Sequence, residues 1–358
     1  EFRYWYIDGM VSGLNITVPT GLAITGFGGG AYYRMKKDGF SSNLDTGTSG
    51  ANYVPDENVN LGVKAMMLFS VAGGESMVNG GFGFEMAFNG SGGINRVSLY
   101  GEGHMMQEPE WTDASDEISE NFQGIVEKES QMSASVQNQL KETNLIEASK
   151  AIYPATMQGQ KGLNAYVAIE FDFVKDTFHG TFELYIDVLG GLFQGVGDGG
   201  RAGWAVVHFG PGEWYIHVGT PTDPIGLKMG IGSISLQSES YFMMGDYMPP
   251  SPPPPAEVAE ILGLDVADLD YMRDENALKG GRGLAFGSHF KFDTGDMTFL
   301  VFYARFQAGF GFDIMIKDYG DTICRGSGQI GVNGWYANGQ AYVYLQGKLG
   351  IRVKIFGK

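Results

Sequence analysis

The groups in this chain that could do chemistry are carboxylates beside hydroxyls, a glycine cluster and five histidines. Asp45-Thr46-Gly47-Thr48-Ser49 and Asp293-Thr294-Gly295 repeat a string whose carboxylates, if brought together, could share one proton and divide acid from base work. Neither is preceded by the apolar strand such a pair needs at its floor, since Phe40-Ser41-Ser42-Asn43-Leu44 is polar and Asp293 falls between hairpin strands. Both read as turns, with Asp45 and Asp293 expected far apart and ordinarily solvated. Gly195-Val196-Gly197-Asp198-Gly199-Gly200 matches G-x-G-x-x-G, but a strand, Arg201 to Val206, follows where phosphate binding needs a helix N-terminus. His208 and His217 are expected on one face of a hairpin near Glu213, close enough for a transition metal to bridge, although sheet histidines without a ligand role fit the same pattern. No metal site and no catalytic residue is assigned. Calcium is the one cofactor the acidic composition admits, at Asp198 or within Asp265 to Glu275, without the Asp-x-Asp-x-Asp-Gly spacing of a dedicated loop.

The elements that must position these groups are long hairpins. If Lys175-Asp176 is a two-residue turn, Phe173/Phe178, Phe171/Gly180, Ile169/Phe182, Val167/Leu184, Ala165/Ile186 and Leu163/Val188 pair on an apolar face that is expected to be buried. The other face carries Tyr166, Glu170, Asp172, His179 and Tyr185 and is expected to be wet. A second hairpin, Trp204 to Val218 across Gly210-Pro211-Gly212-Glu213, places His208, Tyr215 and His217 on its polar side. Together, Tyr166, Glu170, Asp172, His179, Tyr185, His208, Tyr215 and His217 form the candidate binding face, polar and aromatic as suits a protein or glycan partner. Further hairpins are expected at Phe286 to Tyr303 around Asp293-Thr294-Gly295-Asp296, and at Val332 to Leu345 around Asn338-Gly339. Gly81-Phe82-Gly83-Phe84 and Gly309-Phe310-Gly311-Phe312 strip one face of each strand, so that a neighbour can approach closely.

Two stretches break the alternation. Thr112 to Ile152 is polar with apolar residues every three to seven positions, which predicts a helical or loosely ordered insertion. Met248 to Pro255 is polyproline-like, a stiff strut, and a helix is predicted after it with Val258, Ile261 and Leu262 on one face and Gly280-Gly281 at its stop. The resulting organisation is a β-sheet region at 1–111, the insertion at 112–155, hairpins continuing the sheet at 156–247, strut plus helix at 248–283 and C-terminal hairpins at 284–358.

Composition narrows the partners. With 358 residues, 24 Lys+Arg against 41 Asp+Glu and a net charge of −17, the chain offers no basic patch to displace counterions from nucleic acid. The 56 glycines follow no Gly-X-Y period, which excludes collagen and favours strands and turns. Cys324 alone permits no internal disulfide. No run approaches the ~20 apolar residues of a membrane helix, so a membrane role would have to use strands. The opening Glu1-Phe2, without Met or a leader pattern, is what an excised segment would show.

Two resemblances bear on function. The Asp-Thr-Gly strings resemble the signature of pepsin-like aspartic proteases, but Asp296 stands where that family has a hydroxyl residue, and Val218-Gly219-Thr220-Pro221, similar to the family's early strand, comes after the first string. The segments Gly21 to Met35, Trp214 to Pro221 and Gly334 to Tyr342 resemble parts of very large secreted or surface proteins of Bacteroidetes, some of TANFOR type. That resemblance implies an extracellular or outer-envelope setting in a Gram-negative bacterium and carries over no site residue.

The expected fold is mainly β: a large antiparallel meander sheet, sandwich or barrel-like, with helical and Pro-rich insertions. The expected function is a non-enzymatic structural or binding module of a larger envelope protein, contacting other segments of its parent or a protein or glycan. The alternative is an outer-membrane β-barrel, and an aspartic protease ranks behind both. The direction of the apolar faces discriminates: in a sandwich they meet, while in a membrane barrel they form an outward band about 25 Å tall.

Overall fold

The computed structural model describes residues 2–17, 21–40, 51–71, 78–105, 162–249, 251–269, 282–299, 302–318 and 335–351. The insertion expected at 112–155, Asp45 and Cys324 lie outside the described residues. In chain order the strands are β1 (Trp5–Thr17), β2 (Leu22–Tyr33), β3 (Met35–Phe40), β4 (Ala51–Pro55), β5 (Leu61–Val71), β6 (Val78–Phe88), β7 (Ile94–Met105), β8 (Gly162–Asp172) and β9 (Thr177–Val188). They continue with β10 (Phe193–Gly195), β11 (Arg201–Gly210), β12 (Glu213–Val218), β13 (Ile225–Ile231) and β14 (Ile234–Gly245). Helices α1 (Ala256–Leu262) and α2 (Val266–Leu269) precede β15 (Arg282–Asp293), β16 (Met297–Phe299), β17 (Phe302–Asp318) and β18 (Trp335–Ile351). Sixteen strands make an antiparallel sheet in near-meander order, and β3 with β4 makes a separate ribbon. The protein is therefore mainly β, as its period-two alternation predicts. It divides into two compact units, Glu1–Ile186 with Trp204–Trp214, and Asp187–Gly203 with Tyr215–Lys358.

In the first unit the strands run β1-β2-β5-β6-β7-β8-β9, with β11 on β9. The two faces of these strands differ as predicted, but their environments are reversed. Glu85, Ser98, Glu102, His104, Asn164, Tyr166, Glu170, Thr181, Glu183 and Tyr185 are buried, whereas Phe27, Phe82, Leu99, Val167, Phe171, Phe182 and Phe209 are exposed. Phe182, expected in a core with Ile169, is 40% exposed. Alternation establishes only that the two faces differ, and not which of them is buried. Glycine makes room on the buried face. A Cβ on Gly83 would lie 2.0 Å from Tyr100 Cζ, and one on Gly62 would lie 1.9 Å from Tyr32 Cζ. Each tyrosine is the directly opposed cross-strand partner of its glycine, so the ring lies flat over bare backbone.

The second unit has the order β10-β13-β14-β15-β17, with β12 on β14 and both β16 and β18 on β17. Its faces are reversed in the same way: Asp293, Gln307, Asp313 and Lys317 are buried, while Phe242, Phe306, Phe310, Phe312, Val343 and Leu349 are exposed. Tyr344 and Tyr342 oppose Gly309 and Gly311 and fill the space their side chains would take. Two turn expectations fail here. Asn338-Gly339 is no turn, because β18 runs straight through it for 17 residues, with Asn338 opposite Met315 and Gly339 opposite Ile314. Asp293 does end β15, but the chain does not reverse there: the short β16 continues in the same direction, both strands pair antiparallel with β17, and the reversal comes between β16 and β17. Nor is Asp293 solvated: it is buried, takes Arg305 Nε at 2.9 Å and Gln307 Nε2 at 3.0 Å, and accepts the Gly295 N–H. The glycine cluster at 195–200 is a tight entry into β11, where a Cβ on Gly195 would meet the Gly200 carbonyl oxygen at 2.2 Å.

The strut and α1 follow β14, as predicted, and lie against the polar face of β15, β17 and β18. Helix α1 starts after Pro255 and ends early, at Gly263 in the left-handed conformation (φ 67°). The predicted stop at Gly280-Gly281 lies outside the described residues.

Candidate functional site

The buried face of the first unit is built from a row of directly opposed residues, Asp8, Gly30, Lys64, Glu85, Ser98 and Glu170, on six successive strands of the sheet. Gly30 sits between Asp8 and Lys64, and a Cβ there would lie 2.9 Å from Lys64 Cε. Its absence lets Lys64 Nζ cross the strand to Asp8 Oδ2 at 3.0 Å. Arg96 bridges the next carboxylates, with Nη2 3.2 Å from Glu85 Oε1 and Nε 3.6 Å from Glu170 Oε2. Tyr32 donates to Glu85 at 2.6 Å and Ser98 to Glu170 at 3.1 Å. Every charge in the row thus meets an opposite charge or a donor, which is what permits burial.

Six of the eight sequence-predicted site residues belong to the first unit, and Tyr215 and His217 belong to the second. Glu170 belongs to the row just described. Tyr166, 1% exposed, meets Tyr185 edge-on at 6.0 Å and His104 at 5.8 Å, and Tyr185 donates to Glu183 at 2.6 Å. Asp172 caps the β8–β9 turn, accepting the N–H groups of Val174 and Lys175 on Oδ1. His179 faces His208, Nδ1 to Nδ1 at 3.4 Å, and His208 Nε2 lies 3.5 Å from Glu213. In the second unit His217 donates from Nε2 to the Asp246 carbonyl at 3.3 Å, with Tyr215 at 5.0 Å. The pairings are therefore Tyr166 with Tyr185 and His179 with His208 in the first unit, and Tyr215 with His217 in the second. No group of three His, Cys, Asp or Glu side chains placed to hold a metal occurs among the described residues. Of the calcium candidates, Asp198 is exposed in a single short turn, and Asp265 to Glu275 lies largely outside the described residues.

Sequence reasoning missed a second cluster. In the second unit Asp313 accepts Tyr241 Oη and His289 Nε2 on Oδ1, both at 2.9 Å, and Gln340 Nε2 on Oδ2 at 2.8 Å. His289 Nδ1 is 2.7 Å from Tyr342 Oη. The strut is fastened over this cluster by side chains: Gln340 to the Pro252 carbonyl, Asn338 to Ser251 Oγ and Lys317 to the Met248 carbonyl. Helix α1 adds ion pairs from Glu257 to Lys291 and from Glu260 to Lys348. Burial raises the Glu257 carboxyl, but the Lys291 hydrogen bond and charge outweigh it, so its pKa falls below the ordinary value. The Lys348 hydrogen bond and charge likewise lower that of the exposed Glu260. The signal for this cluster was the alternation Asn338, Gln340, Tyr342, Tyr344, hidden because Asn-Gly read as a turn.

No family model, no curated protein and no solved structure matches this chain. Among the described residues no helix is long and apolar enough to cross a membrane.

Proposed function

We propose that this chain is a membrane-spanning β protein of the outer-envelope kind, whose strands turn apolar residues to lipid and polar residues inward. One observation carries the reading: in each unit the buried face holds charges, such as Glu85, Glu170, Asp313 and Lys317, while phenylalanines, leucines and valines are exposed. A water-soluble sheet arranges its faces the other way, because burial of apolar area drives its folding. Lipid removes that preference and leaves the polar groups to satisfy each other. Strand length agrees, since β1, β2, β5 to β9, β14 and β15 have 11 to 13 residues and β17 and β18 have 17. A tilted transmembrane strand needs about 9–11. The setting is the one implied by the surface-protein resemblance, but the partner of the exposed face is lipid.

The test uses Phe82→Trp in the first unit and Phe310→Trp in the second, in vesicles of phospholipid with brominated acyl chains. Strong quenching of both new tryptophans, relative to the parent chain, is the expected result. A chain that purifies as a monodisperse species without detergent and shows no quenching overturns the reading.

A further inference from the structure

We infer that the cleft between the strut and the polar face of β17 and β18 is a binding site for a small neutral polyhydroxylated ligand of monosaccharide size. This inference concerns the second unit alone and does not rest on membrane insertion. The cleft has a volume of about 290 Å³ and is lined by Tyr241, Ser251, Pro252, Pro254, Val258, Leu269 and by β17 and β18 side chains including Asp313, Gln340 and Tyr342. That is the low end of the about 300–1,000 Å³ typical of ligand sites, enough for one sugar ring.

Charge is not what this cleft offers. The Asp313 carboxylate is spent on Tyr241, His289 and Gln340, and Lys317 holds the Met248 carbonyl. Much of the rest of the lining is Pro252, Pro254, Val258, Leu269 and Met315, which would make desolvating an ion costly. What remains is a set of acceptors whose orientation the network fixes. Gln340 Nε2 lies between two groups that can only accept, the Asp313 carboxylate and the Pro252 carbonyl, so its amide has one assignment and Oε1 is left as acceptor. With Nε2–H of His289 on Asp313, Nδ1 of the neutral ring accepts the Tyr342 hydroxyl proton, and in that state Tyr342 Oη keeps its lone pairs. Ser251 Oγ is 3.6 Å from Met315 Sδ as donor and takes the Asn338 amide N–H, which leaves Asn338 Oδ1 as a third acceptor. Three acceptors beside proline rings and a tyrosine select a ligand that brings several hydroxyl donors and apolar C–H faces, which is the chemistry of a sugar.

The full chain, purified in whichever buffer or detergent keeps it monodisperse, is titrated calorimetrically with D-glucose, D-galactose and N-acetyl-D-glucosamine up to about 50 mM, and with L-arginine and choline as cationic probes. Saturable binding of at least one sugar is expected, weakened about tenfold or more by Gln340→Leu through loss of a hydrogen bond. Because Gln340 also fastens the strut, Val258→Trp serves as an independent variant that fills the cleft from α1 without touching the sheet, and it should abolish binding with the melting temperature kept. Saturation by arginine or choline but by no sugar, no saturation at all, or a sugar affinity that survives Val258→Trp would each overturn the inference.

Discussion

Arg96 is the residue on which the buried face of the first unit depends most directly, because it alone among the described contacts reaches both Glu85 and Glu170. Arg96→Met would remove the guanidinium that the two buried carboxylates share. Removing one member of a buried ion pair costs about 3–5 kcal/mol, so the unfolding midpoint in denaturant should fall sharply, and a loss under about 1 kcal/mol would show the carboxylates to be solvated after all. Gly83 offers a second test. The space for its side chain is taken by the Tyr100 ring, so Gly83→Val should destabilise strongly by itself. Combined with Tyr100→Ala, which empties that space, the same substitution should cost much less. Strictly additive losses in that double-mutant cycle would mean that the ring does not occupy the glycine's face.

At the scale of elements, the strut is the piece that the sheet's backbone cannot hold. Prolines at 252–255 offer no N–H to a neighbouring strand, so side chains fasten it, and two of the fastenings are the ion pairs of α1. Glu257 faces Lys291, with Asp293 opposing it, and Glu260 faces Lys348, with Arg305 behind it. Both carboxyl pKa values are lowered by folding, so their contribution is present above the unfolded value near 4.5 and is lost as pH falls through the folded values. Hydrogen exchange of the α1 amides should therefore accelerate below about pH 4.5, more weakly in high salt, and Glu257→Gln should flatten the dependence. Exchange independent of pH after correction for intrinsic rates would remove these pairs from the fastening. The strut and its helix were legible because proline chemistry is local. So were strand existence and the composition of each face, since a period of two needs no knowledge of the surroundings. The side of the sheet that is buried was not legible, because exchanging lipid for water leaves the alternation of Ile169, Glu170, Phe171 and Asp172 unchanged. The Asp313 cluster was also hidden, since it joins β14, β15, β17 and β18 and only the strand register brings Tyr241, His289 and Gln340 to one carboxylate.

For the whole molecule, the deciding quantity is how much apolar surface each unit leaves uncovered and what covers it. Phe82 is 49% exposed in the first unit, and in the second Phe310 is 56%, Val343 85% and Leu349 87% exposed. Monomers in water rarely expose apolar patches beyond about 300–600 Å², and a few aromatic side chains of about 150–250 Å² each reach that area quickly. A net charge of −17 would keep such a chain dispersed in water only if the charges lay on its surface. Several instead lie within the two polar networks. The solvent of the apolar face can be read from a charge placed on it. Phe82→Arg and Phe310→Arg, one in each unit, should cost about 2–4 kcal/mol each if the site lies near the middle of a bilayer, and about 0.5 kcal/mol or less if it faces water. Unfolding free energies measured in phospholipid vesicles separate these values. Near-zero cost at both positions would place water against the phenylalanines and return the chain to the soluble binding module, whereas a large cost in one unit and none in the other would confine the lipid contact to that unit.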